Sequence, residues 1–228
     1  PEFEELYEAG NGLIKIVTIA PELENGYETA AYMADKGVTV SIGHSGAMFE
    51  EAQRAFSRGA LQTTHTFNAM SPLHHREPGV VGAAVCNDLV RCELICDFFH
   101  VHQDVAKLLY RMKGADRITM ITDSEVGAGL PDGRFTVYGK KITVKERKTY
   151  MEDGTIFGGS TVLLDGVRNL VSIGIPLEDT IKMAAQNGAT AAGIDDRVGS
   201  LAEGKDADIV ILDQELNVRQ VIVNGRPL

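Results

Sequence analysis

His44 in SIGHS and His65 in TTHTFNAM each follow a short apolar run. Neutral imidazole is a good ligand for Zn²⁺ or Fe²⁺. If the two runs are neighbouring strands of one sheet, both rings can reach a single ion. Two histidines by themselves are a weak signal, because polar residues also sit satisfied near strand ends. Asp123, in ITDS, adds a carboxylate at the end of a later run. A lone Thr-Asp can equally be a helix cap or a turn. Together the three side chains describe a hydrolytic site. A metal lowers the pKa of its bound water and polarises a carbonyl. Asp123 would take the proton from that water and deliver it to the leaving amine. His100, in DFFHVH, stands where it can hydrogen-bond the carbonyl oxygen as negative charge develops there. His74 and His75 are adjacent and do not easily share an ion, so they read as loop or interface residues. His102 reads as the start of a surface helix. Glu22, in TIAPE, also sits at a strand end.

Positioning these groups requires a repeated strand-then-helix pattern. The apolar, β-branched runs predict strands over 14–20, 38–42, 61–66, 91–96 and 117–122. Helical patterns follow over 27–36, 49–58 and 103–112, whereas a long loop follows the third strand. Strands alternating with helices imply a parallel sheet. Glu22, His44, His65, His100 and Asp123 each come just after a strand. An α/β barrel builds its active site at the C-terminal ends of its strands, whereas a doubly wound sheet concentrates function at one switch point. The predicted fold class is therefore α/β, a partial TIM-like (β/α)8 barrel comprising about its last five strands. A closed barrel has eight strands, and those not counted would precede residue 1, where the chain opens on Pro in the helical PEFEELYEAG. A β-hairpin insertion is expected near 135–155, with turns at Gly139 and Asp153-Gly154, and helices over 160–172 and 177–192. Strands over 207–212 and 218–223, followed by an Asn224-Gly225 turn, suggest a small β domain. The expected organisation is a barrel portion over 1–195 and strands of a small β-sandwich domain over 196–228.

Composition narrows the function classes. With 228 residues, 44% of them hydrophobic, the chain can bury a sizeable core. A net charge of −10 and a pI near 5.1 argue against nucleic acid or an anionic membrane as partner. An anionic small substrate remains compatible, since a local basic pocket can coexist with an acidic exterior. No apolar run of about 18 residues and no signal peptide is visible. Cys86, Cys92 and Cys96 are too few and too irregular for a disulfide framework and read as buried structural thiols of a protein in a reducing cytoplasm.

The segments THTFNAM and HHREPG, with GHS, ITDS and GLPDG, resemble the N-acetylglucosamine-6-phosphate deacetylases of the amidohydrolase superfamily. The tail VGSLAEGKDADIVILD is similar to the C-terminal signature of that superfamily in general. The resemblance runs in order over nearly all of the chain, and its most specific part is THTFNAM with HREPG. It implies hydrolysis of the N-acetyl group of N-acetylglucosamine 6-phosphate to glucosamine 6-phosphate and acetate, in amino-sugar catabolism. It implies a divalent metal, Zn or Fe, as one or two ions, with His44 and His65 as ligands. Asp123 would be the acid/base. Asn68 and Ala69 would bind the substrate, and Arg76 would contact the sugar phosphate of the neighbouring subunit's site in a homodimer. Asp97, Phe98, Phe99 and His100 would line the pocket, and Ile156, Phe157 and Gly158 would close over the sugar. Two departures stand out. The family's metal-binding glutamate, in a His-x-Glu-Gly-Pro motif, is absent, so weak or absent metal and an inactive fragment are expected of this chain alone. Phe98 stands where the family usually has Gly, which narrows the pocket or shifts its backbone. That departure keeps open an amidohydrolase for another acylated amino sugar.

Overall fold

The computed structural model describes residues 2–228. Five parallel strands lie side by side in chain order: β1 (Ile16–Ile19), β2 (Thr39–Ile42), β3 (Ala60–Thr63), β4 (Arg91–Ile95) and β5 (Ile118–Ile121). Helices α1 (Glu2–Ala9), α2 (Gly26–Asp35), α3 (Phe49–Ser57), α4 (Gly79–Val85) and α5 (Gln103–Lys113) precede or connect them. Each crossover returns to the neighbouring position, with no reversal of strand order. That is the connectivity of a barrel rather than of a doubly wound sheet. The strands are shorter than their apolar runs predict, because the run ends curve into the loops that carry the polar groups.

The two faces of this sheet differ. Val40, Ile42, Cys92, Leu94, Ile118 and Met120 are buried in one core with helix residues such as Ala30, Met33, Ala55, Phe56 and Leu109. The alternate residues form a hydrogen-bonded polar face. Thr64 Oγ lies 2.8 Å from Thr18 Oγ and 2.6 Å from Ser41 Oγ, and Gln62 Nε2 donates to Glu93 Oε1 at 2.7 Å. Alternation along each strand makes both faces unavoidable once one is packed on helices.

After β5 come three antiparallel strands, β6 (Gly133–Val137), β7 (Lys140–Lys145) and β8 (Lys148–Met151). The expected turn at Gly139 is present, and a second, unexpected one joins β7 to β8 through Glu146 and Arg147, at φ 51° and 58°. Two successive left-handed residues suit a tight hairpin, but Asn and Gly are its usual occupants. The chain then turns again at Gly154, whose N–H donates to the Met151 carbonyl at 3.0 Å. Helix α6 (Leu163–Ser172) follows.

The single helix expected over 177–192 is instead two, α7 (Leu177–Ala184) and α8 (Gln186–Ala191), broken at Ala185 with φ −124° and ψ −68°. The break places the buried Asn187 where its Nδ2 donates to the carbonyls of Ala115 and Ile118, both at 2.6 Å, at the start of β5. Satisfying those buried carbonyls outweighs a lost helical bond. The tail forms β9 (Ile209–Leu212), β10 (Val218–Val223) and β11 (Arg226–Pro227), all antiparallel, with the expected turn at Asn224 and Gly225. Among the described residues, no helix is long and apolar enough to cross a membrane.

Candidate functional site

Four consecutive strand ends share one backbone feature. His44 after β2, His65 after β3, Phe98 after β4 and Asp123 after β5 have φ values of 49°, 32°, 60° and 50°. Left-handed backbone costs an L-residue roughly 1–2 kcal/mol. Such strain persists only where the surroundings hold it, and it concentrates at functional sites. None of the four is Gly or Asn, although His and Asp enter this region more readily than most residues.

The turns are packed closely at the top of the sheet. A Cβ on Gly43 would lie 2.7 Å from Thr64 Cβ and 2.8 Å from Thr18 Cγ2, so only glycine fits between β1 and β3 there. The Ser45 N–H donates to the Ala69 carbonyl at 3.1 Å, tying the His44 turn to the FNAM loop. Within that loop Phe67 and Ala69 are also left-handed, and Asn68 Nδ2 donates to the His65 carbonyl at 3.1 Å.

This packing brings His44 and His65 together. Their Nε2 atoms lie 2.9 Å apart with the rings edge to face. His65 is buried and His44 exposed. His65 Nδ1 lies 3.1 Å from the Asn68 carbonyl, to which it donates as N–H, so its Nε2 lone pair faces His44. This is the arrangement by which a backbone carbonyl sets the tautomer of a metal-binding imidazole. Zn–N bonds of about 2.1 Å in a tetrahedral site would set the two nitrogens about 3.4 Å apart, an opening of about 0.5 Å from the present pair. The two nitrogens therefore fit a divalent cation. They are only part of a ligand set, because no group of three or more His, Cys, Asp or Glu side chains among the described residues could hold an ion.

His100 is paired differently. Its Nδ1 lies 2.7 Å from Asp97 Oδ2, and both side chains are almost wholly buried. Asp97 Oδ1 accepts the N–H groups of Phe99 and His100, each at 2.9 Å. Burial opposes the charge on Asp97, but the His100 and Phe99 bonds outweigh it and hold the carboxyl below the usual carboxylate range. Both Asp97 oxygens are thus committed within the turn. The Phe98 ring packs against the hydrophobic core, while Phe99 stands edge-on to Tyr150 of β8 with Lys148 Nζ 4.6 Å from its ring centre.

Asp123 is exposed and its turn is stitched to the segment following β8. The Gly159 N–H donates to the Asp123 carbonyl at 2.6 Å, and Ser124 pairs with Gly159 as a parallel bridge. Gly158 is left-handed, and a Cβ there would overlap the Glu125 side chain and lie 3.0 Å from the Asp123 carbonyl oxygen. Ile156, Phe157 and Gly158 are in this way brought beside Asp123. Arg76 lies on the exposed loop before α4, its N–H 3.3 Å from His74 Nδ1, and no hydrogen bond among the described residues joins it to this group.

Glu93 has no place in the sequence expectations. It lies on the polar face of β4, and its Oε2 accepts the His65 N–H at 3.2 Å. Burial pushes its carboxyl up, the His65 bond opposes this and the charge of Asp123 adds to it. A charged residue inside the apolar run RCELIC was the available signal.

The sequence pattern of the amidohydrolase family matches residues 5–228. The chain belongs to the amidohydrolase family. This amidohydrolase chain is 41% identical over 214 residues to the N-acetylglucosamine-6-phosphate deacetylase of Lysinibacillus sphaericus, covering 93% of the chain and 55% of that relative. It is 36% identical over 227 residues to the N-acetylgalactosamine-6-phosphate deacetylase of Escherichia coli O157:H7, covering 99% of the chain and 60% of that relative. The crystal structure of N-acetylglucosamine-6-phosphate deacetylase from Pasteurella multocida superposes with a TM-score of 0.93 at 33% identity, over 100% of this chain and 60% of that one. The amidohydrolase chain therefore spans a little over half the length of these relatives.

Proposed function

We propose that this amidohydrolase chain carries part of the active site of a divalent-metal-dependent deacetylase. The reaction is hydrolysis of the acetamide of N-acetylglucosamine 6-phosphate to glucosamine 6-phosphate and acetate, in amino-sugar catabolism. The observation that carries this reading is the convergence of the His44 and His65 Nε2 atoms at 2.9 Å, at the strand ends next to those bearing His100 and Asp123. The names of the relatives supply the substrate.

His44 and His65 would hold the metal, Zn²⁺ or Fe²⁺, through Nε2. The bound ion would supply an acidified water and a polarised carbonyl. Asp123, whose side chain is exposed, would take a proton from such a water and return it to the departing amine. His100, whose Nδ1 lies 2.7 Å from Asp97 Oδ2, would turn its Nε2 edge to the carbonyl oxygen as charge grows there. Asn68 and the Ala69 backbone bind the sugar, with Phe98, Phe99, Ile156, Phe157 and Gly158 around it. The paired donors of Arg76 suit the phosphate of a neighbouring subunit's substrate in a homodimer. In the same reading, residues 1–195 are the barrel portion and 196–228 belong to a small β domain. A cytoplasmic setting agrees with three free thiols, of which Cys92 and Cys96 are buried as expected, whereas Cys86, at the end of α4, is exposed.

A second reading has its own support. The Escherichia coli relative is named for the galactosamine isomer, and Phe98 stands where the deacetylases that this chain resembles usually carry glycine. Acetate release from both hexosamine phosphates, and from unphosphorylated N-acetylglucosamine, separates the two. The whole protein with Zn²⁺ or Fe²⁺ is expected to prefer N-acetylglucosamine 6-phosphate. A preference for the galactosamine isomer selects the second reading, and no release with metal bound sinks both. The 228-residue chain alone is expected to release none.

A further inference from the structure

His44 and His65 are held in left-handed turns, at φ 49° and 32°, and the contacts that hold them come from neighbouring strands. At the His44 turn, Glu22 reaches across from the loop after β1. Its Oε2 accepts the Ser45 hydroxyl at 2.7 Å and its Oε1 accepts the Gly46 N–H at 2.6 Å. The Ser45 oxygen in turn accepts the Ala47 N–H at 3.1 Å, so one carboxylate orders three successive residues after His44. At the His65 turn, Glu93 reaches across from β4. Its Oε2 accepts the N–H of His65 itself at 3.2 Å, and its Oε1 accepts from Gln62 at 2.7 Å. Both carboxylates are half-buried, and each has both oxygens engaged.

The arrangement is two-sided. β1 and β4 flank β2 and β3, which carry the histidines. A carboxylate from each flanking side, Glu22 after β1 and Glu93 on β4, grips the nearer turn through charge-assisted bonds to the backbone, about twice as strong as neutral ones. We propose that Glu22 and Glu93 are positioning residues. They clamp the two turns from opposite sides and so keep both Nε2 atoms aimed at one point. The inference rests on the reading of His44 and His65 as metal ligands. Neither carboxylate is itself placed as a ligand. Partners of this kind behind metal ligands change metal affinity about 10–100-fold when removed. A purely structural role would instead lower stability and leave the affinity of the folded chain unchanged.

The test is Zn²⁺ affinity of the whole protein, read by competition with a chromogenic chelator, beside thermal unfolding of the metal-free protein. Glu22→Leu and Glu93→Leu are expected to bind Zn²⁺ about 10–100-fold more weakly while still folding. Glu22→Gln and Glu93→Gln, which keep an acceptor oxygen, are expected to recover most of that loss. Glu178→Gln, on α7, is expected to bind as the parent does. If a Leu variant fails to fold, Glu22→Asp or Glu93→Asp, shorter by one methylene, replaces it with the same expected weakening. Unchanged affinity in folded Glu22 and Glu93 variants, with His44→Ala and His65→Ala losing Zn²⁺, overturns the clamp and leaves the histidine pair standing. Unchanged affinity in the His variants overturns the pair and the clamp with it.

Discussion

At the scale of single residues, Asp97 shows how a charge is made useful by its bonds. It accepts three hydrogen bonds, all from within its own turn, and its carboxyl is held below the usual range. A depressed folded-state pKa means that the folded chain favours the charged form more than the unfolded chain does. The resulting stability is complete above the ordinary carboxylate pKa of about 3.9 and is lost as pH falls through the lower folded value. Asp97→Asn is therefore expected to destabilise the chain at neutral pH, and the gap from the parent should narrow on acidification below about pH 4. Thermal unfolding of both proteins across that range checks it. A gap independent of pH would show that the carboxylate charge contributes nothing there. The same bonds explain why Asp97 holds His100 rather than reaching for a ligand with a free oxygen.

At the scale of elements, the site is assembled by loops that have room for only one residue type at a few points. A Cβ on Gly159 would overlap the Thr122 carbonyl oxygen, where the segment after β8 crosses the end of β5. Gly159→Ala is expected to cost about 1–3 kcal/mol of stability and to detach the 156–158 loop from Asp123. Gly154→Ala is the comparison. That glycine has open space around it at φ 86°, so only the backbone penalty of about 1 kcal/mol applies. Limited proteolysis between β8 and α6, together with Tm, distinguishes the two, and equal behaviour would contradict the crossing. The strands were readable in sequence because β-branched apolar runs alternate with helical patterns. The Glu146-Arg147 turn and the break at Ala185 were not, since neither carries a local signal and both are set by distant partners.

At the scale of the whole molecule, the parallel sheet offers a helix-packed apolar face and a hydrogen-bonded polar one, with the histidine pair at the rim. A ligand that binds only the folded state adds stability by mass action. Zn²⁺ at about 100 times its Kd should stabilise the chain by about 2.7 kcal/mol, raising Tm. His44→Ala combined with His65→Ala should abolish that rise without removing the fold. A Tm rise that survives the double substitution would place Zn²⁺ elsewhere on the chain. Across its span the chain superposes on the N-acetylglucosamine-6-phosphate deacetylase of Pasteurella multocida with a TM-score of 0.93.

Sequence alone determined the order of the five parallel strands, the polar residue after each of them and the family. Those are local matters, written in hydrophobic period and in short motifs such as THTFNAM and HREPG. Tertiary structure decided that His44 and His65 meet at 2.9 Å, that Asp97 is spent on His100, and that Glu22 and Glu93 stand behind the pair. Apart from the Asp97–His100 turn, those contacts join residues at different strand ends, and the left-handed turns that allow them occur at His, Phe and Asp rather than at glycine. The modest preference of His and Asp for left-handed backbone does not by itself fix such a turn, and Phe98 has none. It exists because hydrogen bonds from neighbouring strands hold it against its own cost.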